Sequence, residues 1–324
     1  MAADMTDLKD RAERLRELHG EEMLVLPNAW DAASATTVVD AGFPAVATTS
    51  AAIAAMLGYP DGEGAPWQEM FAAAGRIARA VPVPVTVDAE AGYGMQPREL
   101  VDRLLEIGAV GCNLEDTDHR AGGLIEAGAH AQWLADVRSA ADDAEVPIVV
   151  NARVDTFLPA GGVPEADRVA ETVRRGRLYR DAGADCLYPI GVRQKSDIAT
   201  LVAELAAPVN GNTGEHLDPA TLKELGVARV SFGPRFHRMA MADLKTTVQK
   251  LLPSSAKPPP QPIAPPGIHR AGRSCVVGPD LGPLPERTQA LALLWSGILE
   301  SPLINPRAIS EIAGAAPPVI ILEA

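Results

Sequence analysis

Cysteine is scarce in this chain, which has three cysteines among 324 residues. Cys112, Cys186 and Cys275 are widely spaced and odd in number, so neither a disulfide framework nor a zinc site is indicated. Two of them, Cys112 and Cys186, fall in apolar runs typical of strands. We interpret these two as buried thiols.

Long hydrophobic runs and an excess of basic residues are also absent. No apolar stretch reaches the ~18 residues that cross a bilayer, and the first 20 residues are charged throughout, unlike a signal peptide. Asp and Glu outnumber Lys and Arg by 42 to 29, which gives a net charge of -13. This charge repels nucleic acids and anionic membranes. We therefore expect a cytoplasmic protein with neither as a partner.

Short apolar runs of strand length are what the chain has in abundance, with 47% of its residues hydrophobic. Eight runs occur, at residues 23–27, 45–50, 84–90, 111–116, 147–153, 185–190, 208–212 and 229–233. They lack the alternation of polar and apolar residues that marks a half-exposed strand. A parallel sheet covered on both faces is therefore predicted.

Helix-like segments separate these runs. In residues 97–109, Leu100, Leu104 and Ile107 share one face, and Pro97 stands near the start. Eight strand–helix units match a closed (β/α)₈ TIM barrel, an α/β fold of about 250 residues. The alternative is an open doubly wound sheet, but no G-x-G-x-x-G follows the first strand. We predict a TIM-barrel catalytic domain over residues 1–252 with an N-terminal helix.

Residues 253–324 differ from the barrel in composition. They hold 14 of the 28 prolines, and a stretch rich in proline is typical of an extended linker. Further on, one helical face would carry Leu291, Leu294, Trp295, Ile298 and Leu299. We predict a Pro-rich linker followed by a C-terminal tail with one helix, whose apolar face something covers.

Polar side chains follow most of the predicted strands, where the catalytic face of a TIM barrel lies. The set comprises Asn28, Asp31, Thr49, Ser50, Asp88, Glu90, Glu115, Asp116, Asp118, Asn151, Arg153, Asp155, Asn210 and Asn212. Carboxylates from neighbouring strands would repel one another, and a raised pKa or a bound cation relieves the repulsion. An all-oxygen set suits Mg²⁺. Arg153 offers a fork for a carboxylate or phosphonate.

Several of these polar residues have a structural interpretation. Asp31 could serve as the N-cap of the next helix. For Asp116 and Asp118, a solvated loop edge or a cap is favoured over a ligand role. We expect His119 and His130, on or near the same loop, to be surface residues.

The acidic cluster has a structural alternative of its own. Asp88, Glu90 and Glu115 could form an ion-pair ring around Arg153 that serves stability alone. Their predicted position at the catalytic face favours function.

Six short motifs give the chain a family resemblance. They are LPNAWDAASA, TTSAAIAAMLGYPDGEG, VDAEAGYG, NLED, NARVD and SFG, spread in this order over residues 20–250. In order and in barrel position they resemble the isocitrate lyase and phosphoenolpyruvate mutase superfamily. The resemblance implies that Mg²⁺, with Mn²⁺ as the alternative, binds a 2-oxo acid or its enolate while an adjacent C–C or P–C bond is broken or made.

The resemblance also implies roles around the metal. Asp88 resembles the metal ligand, and Glu90 and Glu115 resemble the residues that hold metal-bound waters. Ser50 and Ala51 resemble the backbone pocket for the substrate carboxylate and oxyanion.

Four further positions complete the predicted site. Asp61 resembles the acid of the GYPDG loop, and Arg153 resembles the anion-binding arginine; we assign both as catalytic. Trp30 stands where the family keeps a tryptophan beside the pyruvyl group. Asn212, at a strand tip, is assigned to substrate binding together with Arg153.

The loop after the fourth predicted strand departs from the family pattern. Isocitrate and methylisocitrate lyases carry Lys-x-x-Cys-Gly-His there, whereas this chain reads DTDHRAGGLIEAGAH, with no lysine or cysteine. Classical isocitrate lyase activity is therefore not expected. The mutase's Lys and Asn are absent too, which weakens phosphoryl transfer. Glu90 replaces the usual second aspartate and Ala51 a common glycine, and both are compatible with the metal site.

These observations favour a Mg²⁺-dependent enzyme of lyase or hydrolase type. We expect it to cleave a C–C or P–C bond in a small anionic substrate, a 2-oxo or 2-hydroxy dicarboxylate or a phosphonate, through a pyruvate enolate-like intermediate. The alternatives are a phosphoenolpyruvate or carboxyphosphonoenolpyruvate mutase, a class II aldolase, and a non-catalytic metabolite-binding barrel. The resemblance also implies a homo-oligomer, either a dimer or a tetramer.

Overall fold

The computed structural model describes residues 5–20 and 22–251, and the predicted linker and tail helix lie outside this part. Its strands are β1 (Leu24–Leu26), β2 (Asn28–Ala29), β3 (Val46–Thr48), β4 (Val85–Asp88), β5 (Gly111–Glu115), β6 (Val149–Val154), β7 (Cys186–Pro189), β8 (Asn210–Asn212) and β9 (Arg229–Ser231). Each of the eight predicted strands overlaps one of these, and β2 extends the first.

Helices follow the strands in the same part of the chain. They are α1 (Met5–Leu18), α2 (Ala32–Asp40), α3 (Ser50–Leu57), α4 (Trp67–Ala80), α5 (Pro97–Glu106), α6 (Ala127–Asp143), α7 (Arg168–Asp181), α8 (Lys195–Leu205), α9 (Pro219–Glu224) and α10 (Arg235–Gln249). The predicted N-terminal helix is α1. None of the described helices is long and apolar enough to span a membrane.

The strands form a closed ring that is interrupted at Pro27. β2 to β7 make one parallel sheet in chain order, and β1, β9 and β8 make another. A parallel bridge between Leu187 and Val209 joins β7 to β8. Because proline has no N–H to give to a ladder, Pro27 divides one barrel strand into β1 and β2. The result is the predicted (β/α)₈ barrel.

Side chains on both faces of the strands are buried, as the lack of alternation predicts. β5 and β7 are buried along their whole length. On the outside, Leu100 and Leu104 of α5 pack against the sheet and are 0% exposed. Cys112 and Cys186 are buried free thiols, as expected. The third cysteine lies outside the described residues.

The helix α1 covers the amino ends of the strands. A Cβ on Gly111, at the start of β5, would come within 2.9 Å of Leu15. Arg16 donates to the carbonyl oxygen of Ile148, ahead of β6, at 3.2 Å, and it pairs with Asp185, ahead of β7, at 2.7 Å. These contacts close the amino end of the barrel and leave the carboxyl end for a site.

The last described helix, α10, leaves an apolar face exposed. None of its residues is buried. Leu244 and Val248 are 54% and 49% exposed, and Leu251 just beyond is 79% exposed. An apolar stripe of this size on a surface is typical of a protein–protein contact.

A buried polar network joins β5 to α6 and α7, and it shows that two predictions were wrong. Asp116 is 0% exposed and accepts from Tyr179 Oη at 2.7 Å and Arg175 Nη1 at 3.0 Å. It is therefore no solvated loop edge, because the arginine and the tyrosine replace the water that it loses. His130 is 2% exposed and packs between Tyr179 and Trp133 instead of lying on the surface.

This network gives the protein an acid-sensitive element. Burial, and then the charge of Arg175, lowers the pKa of His130 from 6.5 to about 4, against the opposing charge of Asp155. Between these two values the unfolded chain binds a proton that the folded protein excludes. Stability is therefore lost as the pH falls from 6.5 towards 4.

We expect His130→Phe to weaken that pH dependence, since it keeps an aromatic ring and removes the protonation site. The slope of the unfolding free energy against pH should decrease by up to about 1.4 kcal/mol per pH unit within this window. Urea unfolding at several pH values measures the slope, and His216→Gln, at an exposed histidine, is the control. An unchanged slope in His130→Phe would contradict the assignment.

Candidate active site

The carboxyl ends of β4 and β5 bring the predicted acids together. Asp88 ends β4, Glu90 follows in the next turn, and Glu115 ends β5. Glu90 and Glu115 are each 2% exposed. The parallel register pairs Asp88 with Asn113, two residues before Glu115. The convergence of acids from neighbouring strands is as predicted.

A strained turn holds Glu90 in the mouth of the barrel. Its φ is 50°, in the left-handed region that costs a residue with a Cβ about 1 kcal/mol. Glu90 accepts hydrogen bonds from the backbone N–H of Glu63 and from Tyr93 Oη, the second at 3.1 Å. Glu63 in turn accepts from the N–H of Tyr93 at 2.6 Å. Sequence reasoning missed Glu63 and Tyr93, although both stand inside motifs that carry the resemblance.

Burial and mutual repulsion make these acids hard to ionise. Burial, and then the charge of Asp88, raises the pKa of Glu90 to about 8. Burial raises the pKa of Glu115 to about 7 against the opposing effect of Arg153. Asp61 reaches solvent at the rim, yet partial desolvation and Asp88 still raise its pKa. The mouth therefore holds more carboxyl groups than the basic residues around them can keep ionised.

Asp88 presents one carboxylate oxygen that no described residue satisfies. Its Oδ2 accepts from the N–H of Ser50 at 3.0 Å and from Ser50 Oγ at 2.8 Å. Its Oδ1 is buried without a hydrogen-bond partner. A buried oxygen of this kind is costly unless a donor or a cation meets it. The residues present therefore fit a divalent cation, with Asp88 Oδ1 as the protein ligand.

The other two acids are placed for an indirect role. Within the described ranges, no group of three or more His, Cys, Asp or Glu side chains is arranged to hold a metal ion by itself. Glu90 and Glu115 already have donors of their own, so they suit contacts to metal-bound water. Mg²⁺ is commonly held by one or two carboxylates, with water and substrate oxygens as further ligands. The metal roles of Asp88, Glu90 and Glu115 stay predictions.

Arg153 is engaged by two carboxylates of its own barrel. Its Nε and Nη2 each donate to Asp155 at 2.7 Å, and its Nη1 pairs with Glu115. Asp155 is 0% exposed and also accepts from Thr117 Oγ1 at 2.5 Å. The pair between Glu115 and Arg153 matches the ion-pair ring that the sequence analysis gives as the structural alternative to a metal site. The guanidinium fork predicted for a substrate anion is thus held within the protein.

His119 lies in the site and not on the surface as predicted. Its Nε2 hydrogen-bonds to Glu115 Oε1, and its side chain is 18% exposed. A Cβ on Gly62 would lie 3.2 Å from the imidazole, so the ring also contacts the loop that carries Asp61. The loop after β5 has no thiol, but it brings an imidazole to the mouth of the barrel.

Ser50 and Ala51 begin α3, as a backbone pocket requires, but Ser50 directs its N–H at Asp88.

Asp31 is the N-cap of α2 and accepts from the N–H of Ser34 at 2.7 Å. Asp118 accepts from two backbone N–H groups of its own turn. Structure therefore supports capping roles for these two aspartates.

The remaining predicted substrate-binding residues line two different cavities. Asn212 ends β8, accepts a hydrogen bond from Tyr188 Oη, and lines a cavity of about 590 Å³ with it. Trp30 lines another cavity, of about 530 Å³, and its ring meets that of His237 at a centroid distance of 5.2 Å. The acids of the cluster do not line this second cavity. The role of Trp30 beside a pyruvyl group stays a prediction.

Comparison with known proteins identifies the family. The family described as phosphoenolpyruvate phosphomutase matches residues 15–252. The chain belongs to this family. The resemblance found in the six motifs is thereby confirmed, and so is the barrel that it implies.

Relatives of this family member carry the names of different reactions. This chain is 30% identical over 249 residues to Probable 2-methylisocitrate lyase 2 of Corynebacterium glutamicum. The matched segment covers 73% of this chain and 79% of that relative. A solved structure from Burkholderia cenocepacia J2315, provisionally named a phosphonomutase, is 40% identical to this chain with a TM-score of 0.69. The match covers 74% of this chain and 99% of that one. A solved structure of oxaloacetate acetylhydrolase is 27% identical with a TM-score of 0.68, and the match covers 79% of this chain and 91% of that one. The family is enzymatic and spans lyases, mutases and hydrolases.

We expect Asp88→Asn to abolish Mg²⁺ binding, because an amide replaces the carboxylate whose Oδ1 is buried without a hydrogen-bond partner among the described residues. Isothermal titration with MgCl₂ should show no binding. The melting temperature without Mg²⁺ should stay unchanged or rise, since one charge leaves a repelling cluster.

The exposed Asp102→Asn in α5 is the control for the loss of one carboxylate. Mg²⁺ binding that persists in Asp88→Asn would overturn the metal assignment. The structural role would then remain, with Glu115 paired to Arg153 and no metal held by Asp88.

Proposed function

We propose that the protein is a Mg²⁺-dependent enzyme of lyase or hydrolase type that cleaves a C–C or P–C bond beside a 2-oxo acid group. The observation that carries the proposal is the unpaired Oδ1 of Asp88, buried among acids whose pKa values are raised. It lies at the end of the barrel where such enzymes act. The names of the relatives, which include a lyase and a hydrolase, support the same class.

In this proposal the residues around Asp88 divide the work. Mg²⁺ would supply positive charge for the enolate oxygen as it develops. Glu90 and Glu115 orient water, as their indirect position suits. The start of α3 offers the backbone N–H of Ala51 and the positive end of a helix dipole to the substrate carboxylate, while the N–H of Ser50 is held by Asp88. Asp61, which the sequence analysis assigns as catalytic, lies at the rim of the site.

Bond cleavage leaves its electron pair on the pyruvate unit as an enolate, which must then take up a proton at carbon. His119 is the proposed proton donor, because it lies at the mouth and contacts both Glu115 and the loop of Asp61. It would take the place of the thiol that this loop lacks. In a hydrolase, water attacks the fragment that departs without the electron pair and bonds to it through oxygen. In a lyase, that fragment carries a hydroxyl group beside the cleaved bond; the hydroxyl gives up its proton to a base as the bond breaks, and the fragment leaves as a carbonyl compound.

A second candidate is a metabolite-binding barrel without catalysis. It is favoured by the ion pairs of Arg153, which are complete within the protein. Oxalate, a mimic of the pyruvate enolate, would bind with Mg²⁺ to either kind of protein. Turnover separates the two.

Pyruvate release from a panel of 2-oxo and 2-hydroxy dicarboxylates and phosphonopyruvate, with and without Mg²⁺, tests the proposal. We expect Mg²⁺-dependent turnover of at least one compound. His119→Gln should lower its kcat ~100-fold or more, the range of general acid catalysis, and leave KM within about threefold.

His216→Gln, on the surface, is the matched control. Oxalate binding without turnover of any panel member would favour the non-catalytic barrel. Full activity in His119→Gln would remove this residue from the mechanism.

We also propose that the protein forms a homo-oligomer through α10. The uncovered face of Leu244, Val248 and Leu251 supports this, and so does the resemblance. The double variant Leu244→Glu with Val248→Glu should dissociate the assembly in light scattering after size exclusion. Gln249→Glu, off this face, should leave it intact, and a monomeric wild-type protein would contradict the proposal.

A further inference from the structure

One residue, Glu63, joins two loops at the carboxyl end of the barrel. The α3–α4 loop covers residues 58–66, and the β4–α5 turn covers residues 89–96. The backbone N–H of Glu63 donates to Glu90 Oε2, and its carboxylate accepts from the backbone N–H of Tyr93 at 2.6 Å. We call these two hydrogen bonds the clasp, because they bind the turn through both the backbone and the side chain of one residue.

The clasp limits the movement of Glu90. Both of its carboxylate oxygens are engaged, because Oε1 accepts from Tyr93 Oη at 3.1 Å while Oε2 accepts from Glu63. Burial, and then the charge of Glu90, raises the pKa of Tyr93, so this hydroxyl stays a neutral donor. The Tyr93 ring packs nearly perpendicular to that of Phe71 in α4, at a centroid distance of 6.2 Å. Glu90 is therefore held by a second loop and a helix as well as by its own turn.

The backbone of the clasp is strained at three positions. Glu63, Glu90 and Tyr93 have φ values of 57°, 50° and 56°, in the left-handed region that disfavours residues with a Cβ. Among the described residues, only two other non-glycine residues, Glu145 and Ala206, have a positive φ. A glycine at position 63 would avoid the strain, so the side chain of Glu63 is present at a backbone cost. Such strain persists where contacts hold it, commonly at functional sites.

The α3–α4 loop also carries Asp61, two residues before Glu63. Partial burial, and then the charge of Asp88, raises the pKa of Asp61, so the two acids lie within electrostatic range of each other. Between Asp61 and Glu63, a Cβ on Gly62 would lie 3.2 Å from the imidazole of His119. Holding the loop at Glu63 thus fixes the groups that surround the unpaired Oδ1 of Asp88.

Glu90 needs such support more than an aspartate would. It stands where the family pattern usually has aspartate, and a glutamate has one more rotatable bond. Fixing an additional bond costs conformational entropy. The clasp supplies contacts that hold the longer side chain in one conformation.

We infer that Glu63 is a positioning residue for the proposed metal site. Through the clasp it holds Glu90 in the orientation that suits contact with metal-bound water, and it holds Asp61 at the rim. Glu63 acts through these two residues and is assigned no contact with the metal or the substrate. The inference rests on the proposed function for the presence of the metal.

The strain at position 63 allows stability and positioning to be separated. Glu63→Gly removes the carboxylate bond to Tyr93 and relieves the left-handed backbone, two effects of opposite sign and similar size. We expect its melting temperature to stay within about 3 °C of the wild-type value. Its Mg²⁺ affinity should fall ~10- to 100-fold in isothermal titration, the range found for residues that orient the contacts of a metal.

Two further substitutions identify the group that acts. Glu63→Ala should weaken Mg²⁺ binding as Glu63→Gly does, because neither side chain can accept a hydrogen bond. Glu63→Gln keeps an oxygen that can accept from the N–H of Tyr93, so it should restore the affinity to within about threefold of the wild-type value. A loss in Glu63→Gln as large as that in Glu63→Ala would overturn the inference, since the missing charge alone would then explain the effect.

Glu145→Gly is the matched control for the relief of strain. Glu145 also has a φ of 57°, but it is exposed and lies between α6 and β6, at the amino end of the barrel. This substitution should raise the melting temperature by about 2–4 °C and leave Mg²⁺ affinity unchanged. If Glu63→Gly behaves in the same way, Glu63 is a structural residue and the inference is overturned.

Amide hydrogen exchange on the metal-free protein separates this inference from the proposed function. In Glu63→Ala and Glu63→Gly, residues 58–66 and 89–96 should exchange at least tenfold faster than in the wild-type protein, whereas residues 111–115 of β5 should not change. Unchanged exchange in the two loops would overturn the inference. If the wild-type protein binds no Mg²⁺, the proposed function fails, and the exchange rates still decide whether Glu63 holds the turn that carries Glu90.

Discussion

Repulsion between buried carboxylates is the constraint on which the rest of the site depends. β4 and β5 end side by side, and a closed barrel gives Asp88, Glu90 and Glu115 no way to separate. The surrounding structure responds with donors: Ser50 for Asp88, Tyr93 for Glu90 and Arg153 for Glu115. The response is incomplete at one oxygen of Asp88. That unpaired oxygen is the basis of the proposed metal site.

Two kinds of charge arrangement meet at this end of the barrel. On the side of β4 and β5 the acids outnumber their partners, and on the side of β7 and β9 the arginines do. Tyr188, neutral and buried, stands between the two sides. The two sides of the mouth therefore differ in electrostatic character.

The fold could be predicted from sequence because its signals are local. Apolar runs without alternation indicate covered strands, and the spacing in α5 indicates its buried face. Once the strand ends are predicted, the convergence of Asp88, Glu90 and Glu115 at one end of the barrel follows from the parallel order of the strands. What could not be predicted is which partner a side chain takes in the folded loops, even at short sequence separation: His119 bonds to Glu115, and Arg153 pairs with Asp155. The spacing of two between Arg153 and Asp155 puts them on one face of a strand, but spacing alone does not say which partner an arginine takes.

The pairing of β1 with β9, which closes the ring, has a consequence for the order of folding. Closure of the ring requires β1 to pair with β9, and the register joins Leu24 to Arg229, almost the whole length of the barrel apart in sequence. Pairings this remote carry the largest loop entropy and are slow to form. During synthesis the nascent chain must therefore keep an open sheet edge until β9 has left the ribosome. Such an edge is a template for pairing with other chains, so this stage of biogenesis is where the protein most needs protection.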